Sequence, residues 1–304
     1  MDYDVIAGIF LTPTGKEPPG VVPSNSPARR LRDAVEPIAT IGWWSREAAE
    51  AALALGHDFF DGYVWGRAAA LGADVAPSVV ISAFGVFNGA LLGPVYEHGR
   101  GISSRADVLA SRSSGATAGL RHATSGVDEG TIVTAGAALM AAVSHLEPGP
   151  RHLFGALQAL PVPADPYGRL WRAAELAREH RGDTHLAACV AAGLDMAEMN
   201  VLTEVWLGYP VGEYSSTRGF DAAALASAVE RLTARGWMAE GGVLTPTGQM
   251  TRDAIESATD LGQVQLVEAI GAGLDDLVCS LSSISAAVLD ARAAPADPRK
   301  RAAG

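Results

Sequence analysis

The chain has 304 residues, a formal net charge of −11, and a composition that is 48% hydrophobic. Proteins that bind DNA or RNA gain much of their affinity from Lys and Arg at phosphates, so nucleic acid is not the expected partner, although an acidic chain can still carry a basic patch. The sequence is rich in Ala, Gly and Leu and has few β-branched runs, which favours helices over sheets.

Proline-rich segments divide the chain. Residues 12–27 contain five prolines, so residues 1–27 are predicted to be a flexible N-terminal arm. Pro161, Pro163 and Pro166 mark a break between an N-terminal helical domain, residues 28–160, and a C-terminal one, residues 167–291. Residues 294–304 are predicted to be a flexible tail.

Apolar residues at helical spacing predict helices through both domains, several of them capped by Ser or Asp and ended by Gly. In the N-terminal domain the predicted helices are residues 27–40, 46–55, 57–71, an uncharged helix from residue 77, 104–124 and 128–146. In the C-terminal domain they are residues 167–180, 184–192, 195–207, 220–235, 247–260 and 263–291. The pattern Arg-Leu-x-x-Ala-x-Glu begins at Arg30 and again at Arg169, which suggests a duplicated helical unit, although Ala-rich helices also match by chance.

A hairpin signal lies near the end of the second domain. Residues 237–239 and 243–245 flank Glu240-Gly241-Gly242. With a Leu-x-x-x-Gly turn before it and Leu-Thr-Pro-Thr-Gly at residues 244–248 after it, this order resembles the MarR-type winged helix. The early turns of the expected recognition helix, residues 220–226, contain one acid and no base, whereas DNA is read there by Arg, Lys, Asn, Gln or Ser. We therefore expect a degenerate winged helix that serves packing rather than DNA binding.

The densest polar cluster of the chain is Glu-His-Arg-Gly-Asp-Thr-His at residues 179–185. We expect a junction between two helices here, with Asp183 capping the second helix. His180, Asp183 and His185 could then face one cleft and either ligate a metal ion or haem iron or act as general acid and base. A structural interpretation stays open, in which His180 only neutralises a helix end, Asp183 is only a cap, and Arg181 pairs with a neighbouring acid.

Aromatic residues form the second candidate feature. The set predicted to line an apolar pocket in the N-terminal domain includes Trp43, Tyr63, Phe84 and Phe87, with Arg67 as a charged group. Glu36 and Asn88 are polar residues inside or beside apolar runs, and a buried polar side chain needs a partner or a ligand. Arg67 or Arg181 could hold an anionic group of a ligand. Ordinary core packing is the alternative interpretation of the aromatic set.

The same sequence points to the cytoplasm. Cys189 and Cys279 lie among apolar residues without a neighbouring Cys, which favours two buried thiols in a reducing compartment. The N-terminus has Asp2 and Asp4 where a signal peptide needs basic residues. Residues 75–96 are uncharged and long enough to span a bilayer, but their prolines, glycines and polar residues fit a buried helix better.

Several motifs together resemble a family of actinobacterial proteins described only as helix-turn-helix. They are Ala-Arg-Arg-Leu from Ala28, Gly66-Arg67, the pair Phe84 and Phe87, residues 179–185, and Arg-Asp-x-Ile-Glu-x-x-Thr-Asp from Arg252. The resemblance covers roughly residues 28–290 and implies an all-helical fold apart from a wing, with no general activity. The chain departs from the family pattern at residues 69–72 and at Asn88, around the expected pocket.

These sequence features are compatible with three functions. The leading hypothesis is a small-molecule-binding protein or enzyme of actinobacterial specialised metabolism, with its site between the two helical halves. The alternative is a MarR-like transcriptional regulator that binds DNA as a homodimer. The third is a scaffolding role. The residues do not decide whether the protein is an enzyme.

Overall fold

The computed structural model describes residues 3–11 and 26–302. Within these residues the fold is mainly α-helical, and one antiparallel hairpin of two strands is the only sheet. This confirms the predicted fold class. The helices of the first half are α1 (Tyr3–Phe10), α2 (Pro27–Trp44), α3 (Arg46–Ala54), α4 (Phe59–Ala68), α5 (Pro77–Phe84), α6 (Gly89–Ile102), α7 (Arg105–Ala123), α8 (Glu129–Ser144) and α9 (His152–Gln158).

The second half follows the proline-containing break. Its elements are α10 (Pro166–Ala191), α11 (Met196–Trp206), a 3₁₀ turn (Ser215–Arg218), α12 (Ala222–Ala234), β1 (Met238–Ala239), β2 (Val243–Leu244), α13 (Pro246–Leu261), α14 (Val264–Ile270), a second 3₁₀ turn (Gly271–Gly273), α15 (Leu274–Asp290) and α16 (Pro298–Ala302).

Side chains of short polar residues begin most of these helices. Each of them accepts a hydrogen bond from a backbone N–H of the first turn, which satisfies a donor that the helix itself cannot pair and contributes about 1 kcal/mol. The capping residues are Ser26, Ser45, Asp58, Asn88, Ser104, Asp128, Asp165, Asp195, Asp221 and Thr245.

The winged helix is present. Helices α11 and α12 are followed by the hairpin, in which Met238 pairs with Leu244 and Ala239 with Val243. Gly241 and Gly242 have φ values of +86° and +75°, which the turn between the strands requires and which L-residues avoid. Thr245 then caps α13. These elements enclose a hydrophobic cluster of their own.

The junction predicted at residues 179–185 was wrong. These residues lie inside α10, a continuous helix of 26 residues. Asp183 does not begin a helix, and its carboxylate instead accepts a hydrogen bond from the backbone N–H of Phe154 in the first turn of α9. Gly182 costs the helix about 1 kcal/mol relative to Ala, and packing of α10 against its neighbours outweighs that cost.

The uncharged segment from Pro77 also differs from its prediction, because it is two helices rather than one. Gly85 ends α5 with φ +69°, a left-handed conformation that favours glycine. A Cβ placed on Gly85 would overlap the side chain of Leu186 on α10. The turn between α5 and α6 therefore depends on glycine for both its backbone conformation and its contact with α10.

Three large hydrophobic clusters organise the described chain. The largest combines helices from both predicted domains, including Leu31 and Ile38 of α2, Trp171 of α10 and Leu281 of α15. The second lies within the winged helix. The third joins α4, α5 and α6 around Trp65. Helix α10 contributes to the first cluster near its start and to the second near its end, so it links the two.

Both terminal segments differ from the flexible arm and tail that their composition predicts. Residues 3–10 are helical, and α1 is fixed because Tyr3 donates to the carbonyl of Trp44 at 2.9 Å and Phe10 packs on the Trp44 ring. At the other end, Asp297 binds Arg299 and accepts from Tyr209 Oη at 2.9 Å, which holds α16 against the fold. The predictions for residues 1–2, 12–25 and 303–304 lie outside the described residues.

One apolar stretch of the described residues, Val264–Asp290, is long and apolar enough to cross a membrane. It includes the 3₁₀ turn at Gly271–Gly273, and its second part packs Leu277, Leu281 and Ile284 into the main core. A second candidate arises only if α10 and α11, inclined by 106°, are counted as one span.

Of the two predicted buried thiols, Cys189 is buried but Cys279 is exposed on the outer face of α15.

Candidate functional site

A cavity of about 470 Å³ lies where α2, α4, α5 and α10 meet. Side chains of α1, α16 and the 3₁₀ turn at Ser215–Arg218 also contribute to its wall. Most of the lining is apolar. The aromatic residues of the lining are Phe10, Trp43, Trp44, Phe59, Phe60, Tyr63, Phe84, Phe87 and Tyr214.

Tyr63 is the centre of the aromatic wall. Its ring contacts Trp43 edge-on with centroids 5.3 Å apart, and it stacks on Phe60 at 6.2 Å and on Phe84 at 6.3 Å. Phe87 packs against it at 5.9 Å. These rings come from four parts of the chain, so the wall forms only when α2, α4, α5 and the α5–α6 turn pack together.

Arg67 joins the aromatic wall to a buried carboxylate. Its guanidinium lies 4.5 Å from the centroid of Phe84, and its Nε and Nη2 donate to the two carboxylate oxygens of Glu179 at 3.2 and 2.7 Å. Burial alone would raise the pKa of Glu179, but Arg67 and Arg178 outweigh burial and hold it at about 2. Glu179 is therefore ionised throughout the physiological range.

Arg178 extends this buried ion-pair group. Its Nε donates to Glu36 at 3.0 Å and its Nη1 to Glu179 at 2.9 Å, while its guanidinium lies 4.6 Å from the centroid of Trp43. Burial acts to lower the pKa of Arg178, but Glu36 and Glu179 raise it above its ordinary value. Two basic and two acidic side chains thus balance one another at the base of the cavity.

A second charged group surrounds Glu256 of α13. Its carboxylate binds Arg29, Arg181 and Arg252, with Arg181 Nη2 at 2.8 Å and Arg252 Nη1 at 2.6 Å. His185 lies beside them, with its Nδ1 3.1 Å from Thr259 Oγ1. Burial, and then the charge of Arg252, lowers the pKa of His185 to about 3. His185 is consequently a neutral imidazole near pH 7.

Asp183 and His185 line the cavity, but His180 does not. His180 packs edge-on against Phe154 at 4.9 Å, its Nδ1 lies 3.0 Å from Gln263 Oε1, and burial lowers its pKa to about 4. Burial raises the pKa of Asp183 to about 6. The predicted trio is therefore split, and His180 belongs to the core behind the cavity.

His180 and His185 are not placed to ligate one metal ion together, as one of the two alternatives from the sequence required. His180 and His185 are five residues apart on one helix, so their side chains leave α10 in directions about 140° apart. In the part of the chain that the structure describes, no group of three or more His, Cys, Asp and Glu side chains could hold a metal ion.

Of the other predicted site residues, all but one lie around the cavity. Glu36, Trp43, Tyr63, Arg67, Phe84, Phe87 and Arg181 line it. Asn88 does not, because its side chain caps α6 and donates to the carbonyl of Gly219 at 2.9 Å.

Sequence reasoning missed the contributions of the chain termini and of Arg178. Ile6, Ile9 and Phe10 of α1 and Lys300 and Arg301 of α16 line the cavity. The spacing of the apolar residues in α1 was the available signal, since three and four residues separate neighbours on one helix face.

The expected DNA-reading face carries little positive charge. The exposed residues at the start of α12 are Asp221, Ala222, Ala223, Ala226 and Ser227. The cations nearby are engaged in other contacts. Arg231 binds Asp195 at 2.6 Å and Arg235 binds Glu198 at 3.3 Å, while Arg218 is buried and donates to Asn200 at 2.7 Å.

Comparison with known proteins gives one match. A family model described as a helix-turn-helix family matches residues 28–295, which includes the winged helix and the cavity lining except for the side chains of α1 and α16. The comparisons with curated proteins and with solved structures gave no match. The chain belongs to this helix-turn-helix family.

Proposed function

We propose that this protein binds a small organic molecule in the aromatic cavity. The observation that carries the proposal is the cavity itself, about 470 Å³ of space behind nine aromatic side chains. Pockets for small ligands commonly enclose roughly 300–1,000 Å³ and combine apolar walls with a few fixed polar groups. The buried ion pairs of Arg67 and Arg178 supply such groups.

The shape of the wall favours a planar ligand. Phe60 and Phe84 each stack on Tyr63, with centroids 6.2 and 6.3 Å apart, and a flat ring system can lie against these rings with offset or edge contacts. If the protein is an enzyme, Asp183 is the strongest proton-transferring candidate, because it lines the cavity and its pKa of about 6 lies near neutrality. The role in specialised metabolism expected from the sequence remains part of this proposal.

A cavity-filling substitution tests the proposal. Val86 lines the cavity between α5 and α6, whereas Val79 is exposed on α5 and does not. We expect the full chain to bind the neutral dye Nile red with one saturable site, Val86→Trp to weaken this binding at least about tenfold, and Val79→Trp to leave it unchanged. Circular dichroism verifies that each variant is folded. Unchanged dye binding in a folded Val86→Trp protein would refute the proposal.

DNA-dependent regulation is the second candidate, and membership of the helix-turn-helix family favours it. A gel-shift titration of the full chain at low salt, against the DNA upstream of its own gene, tests it. A regulator would give a sequence-dependent complex that weakens steeply with salt. We expect no such complex, because the exposed start of α12 offers Asp221 and alanines to the DNA.

A further inference from the structure

The charged side chains that line the cavity are unequally divided. Among the described residues, six are basic and three are acidic. The basic ones are Arg67, Arg178, Arg181, Arg218, Lys300 and Arg301, and the acidic ones are Glu36, Glu179 and Asp183.

Three of these basic residues have no acidic partner in the described lining. Arg67 and Arg178 are neutralised by Glu36 and Glu179, as described above, and Arg218 donates to Asn200. Asp183 is mostly ionised near pH 7 although burial raises its pKa to about 6, and its carboxylate accepts a hydrogen bond from the backbone N–H of Phe154. Among the described residues, no ion pair joins an acid of the lining to Arg181, Lys300 or Arg301, which we call the cationic end.

Arg181 shares its carboxylate partner with two other arginine side chains. Its ion pair is with Glu256, which also binds Arg29 and Arg252, and the nearby Asp260 is 3.9 Å from Arg181 and 3.5 Å from Arg29. Two carboxylates thus serve three guanidinium groups. The Nε of Arg181 is buried and has no hydrogen-bond partner among the described residues. An unpaired buried guanidinium N–H is costly, so the Glu256 group does not fully satisfy the hydrogen-bonding capacity of Arg181.

Lys300 and Arg301, two of the three cations of α16, donate only to backbone carbonyls within the described chain. Arg301 Nη1 donates to Pro295 at 2.6 Å and to Ala296 at 2.9 Å, and Lys300 Nζ donates to Ile9 at 2.7 Å. Burial lowers the pKa of both Arg301 and Arg181, and the positive charge of Arg32 lowers both further, although carboxylates close to each side chain act to raise them. An anion placed between Arg181 and Arg301 would be attracted by both charges.

We infer that the ligand is an amphipathic organic acid, with a planar apolar body against the aromatic wall and a carboxylate held by Arg181 and Arg301 at the cationic end. The inference rests on the proposed function and names the ligand class of that site. The carboxylate accepts from guanidinium N–H groups, and no covalent step is involved. Arg is suited to this role because its planar fork matches two carboxylate oxygens.

A matched pair of probes tests the inference. Pyrenecarboxylic acid and pyrenemethanol share one ring system and differ in whether the attached group is a carboxylate or a neutral hydroxymethyl. We expect the full chain, followed by probe fluorescence anisotropy near pH 7, to bind the acid at least about tenfold more tightly than the alcohol. High salt should reduce this difference.

Two variants identify the anchoring residues. Arg301→Gln and Arg181→Gln should each weaken binding of the acid about tenfold and change binding of the alcohol less than about twofold. Arg301→Gln should leave the rest of the chain folded, because α16 is a short terminal helix. Arg105→Gln is the matched control, because Arg105 also donates to a backbone carbonyl, that of Ala69 at 2.7 Å, but does not line the cavity.

The outcomes separate the two proposals. Equal affinity for acid and alcohol, or an acid affinity that neither Arg variant lowers, would overturn the acid ligand while leaving the Nile red result in place. Failure of the wild-type chain to bind the acid at all would overturn it as well. Nile red binding that is indifferent to Val86→Trp would instead remove the proposed function on which the inference rests.

Discussion

Arg181 Nη2 donates to Glu256 Oε2 at 2.8 Å, and this ion pair connects the wall of the cavity to the helix that follows the wing. Arg181 belongs to α10 and Glu256 to α13. Because Glu256 also binds Arg29 of α2, a single carboxylate joins three helices. The packing of the winged helix on the rest of the chain therefore depends on a charged group that borders the cavity.

Loss of the Glu256 carboxylate should strongly destabilise the folded chain. Glu256→Gln leaves the buried Arg29 and Arg252 and the partly buried Arg181 close together, with Asp260 as the remaining acid. Removing one partner of a buried ion pair costs about 3–5 kcal/mol. We expect the free energy of unfolding in urea to fall by that amount. Glu230→Gln, at an exposed site on α12, should change it by less than about 0.5 kcal/mol. Equal effects of the two substitutions would contradict this account.

Asp183 should make stability depend on pH. Burial raises its pKa in the folded chain to about 6, above the ordinary value of 3.8, so between these values the folded state binds more protons than the unfolded state. The wild type therefore loses stability as the pH rises from about 4 to about 6. Asp183→Asn keeps an acceptor for the N–H of Phe154 and removes this loss.

The expected gain from Asp183→Asn is small near pH 4 and approaches about 3 kcal/mol above pH 7, since each unit of pKa difference is worth about 1.4 kcal/mol. Urea unfolding of both proteins at several pH values measures it. A difference between the two proteins that is constant with pH would show that the carboxyl group does not titrate as described.

Gly85 should be intolerant of a side chain. Gly85→Ala forces a Cβ onto a residue with φ +69° and into the side chain of Leu186, and we expect a loss of about 2 kcal/mol or more in the free energy of unfolding. Gly101 of α6 has open space around it and an ordinary φ, so Gly101→Ala should be neutral or stabilise by up to about 1 kcal/mol. Thermal unfolding of both variants compares them directly. A stable Gly85→Ala protein would mean that α5 and α10 do not approach each other in this way.

Arg67 should not be replaceable by Lys. The guanidinium binds both oxygens of Glu179 and lies over Phe84, and an ammonium group cannot reproduce two parallel hydrogen bonds and a planar contact at once. We expect Arg67→Lys to lower the free energy of unfolding in urea by about 1–3 kcal/mol. Arg100→Lys is the control, because Arg100 also binds acids, Asp74 and Glu97, and lies over Tyr96, but near the surface. Arg100→Lys should lower the same free energy of unfolding by less than about 1 kcal/mol.

Much of the fold could be predicted from local signals. Ser45 and Asp128 cap helices, as predicted, and the Gly-Gly turn located the hairpin. The helix predicted from residue 247 begins at Pro246. The aromatic residues and Arg67 were correctly expected to lie together, since neighbouring amphipathic helices turn their apolar faces toward one another.

The polar site could not be predicted in the same way. The pair of Arg67 and Glu179 spans 112 residues, and no local pattern reports such a contact. The run around Gly182 has the composition of a turn, yet its neighbours Glu179 and Asp183 are bound by Arg67 and by the backbone of Phe154. These tertiary contacts compensate for the poor local helix propensity, so composition alone gave a junction where the chain is continuous.

Helix α10 limits how this protein can be divided. Its 26 residues extend about 39 Å, with Leu170 and Trp171 in the largest hydrophobic cluster and Cys189 in that of the winged helix. A fragment that begins after the break at Pro166 would expose the apolar face of α10 that α2 and α8 normally cover. Such a fragment should aggregate rather than fold. The winged helix therefore cannot be transferred to another protein by itself. A chimeric protein would have to retain the whole chain from α2 onward.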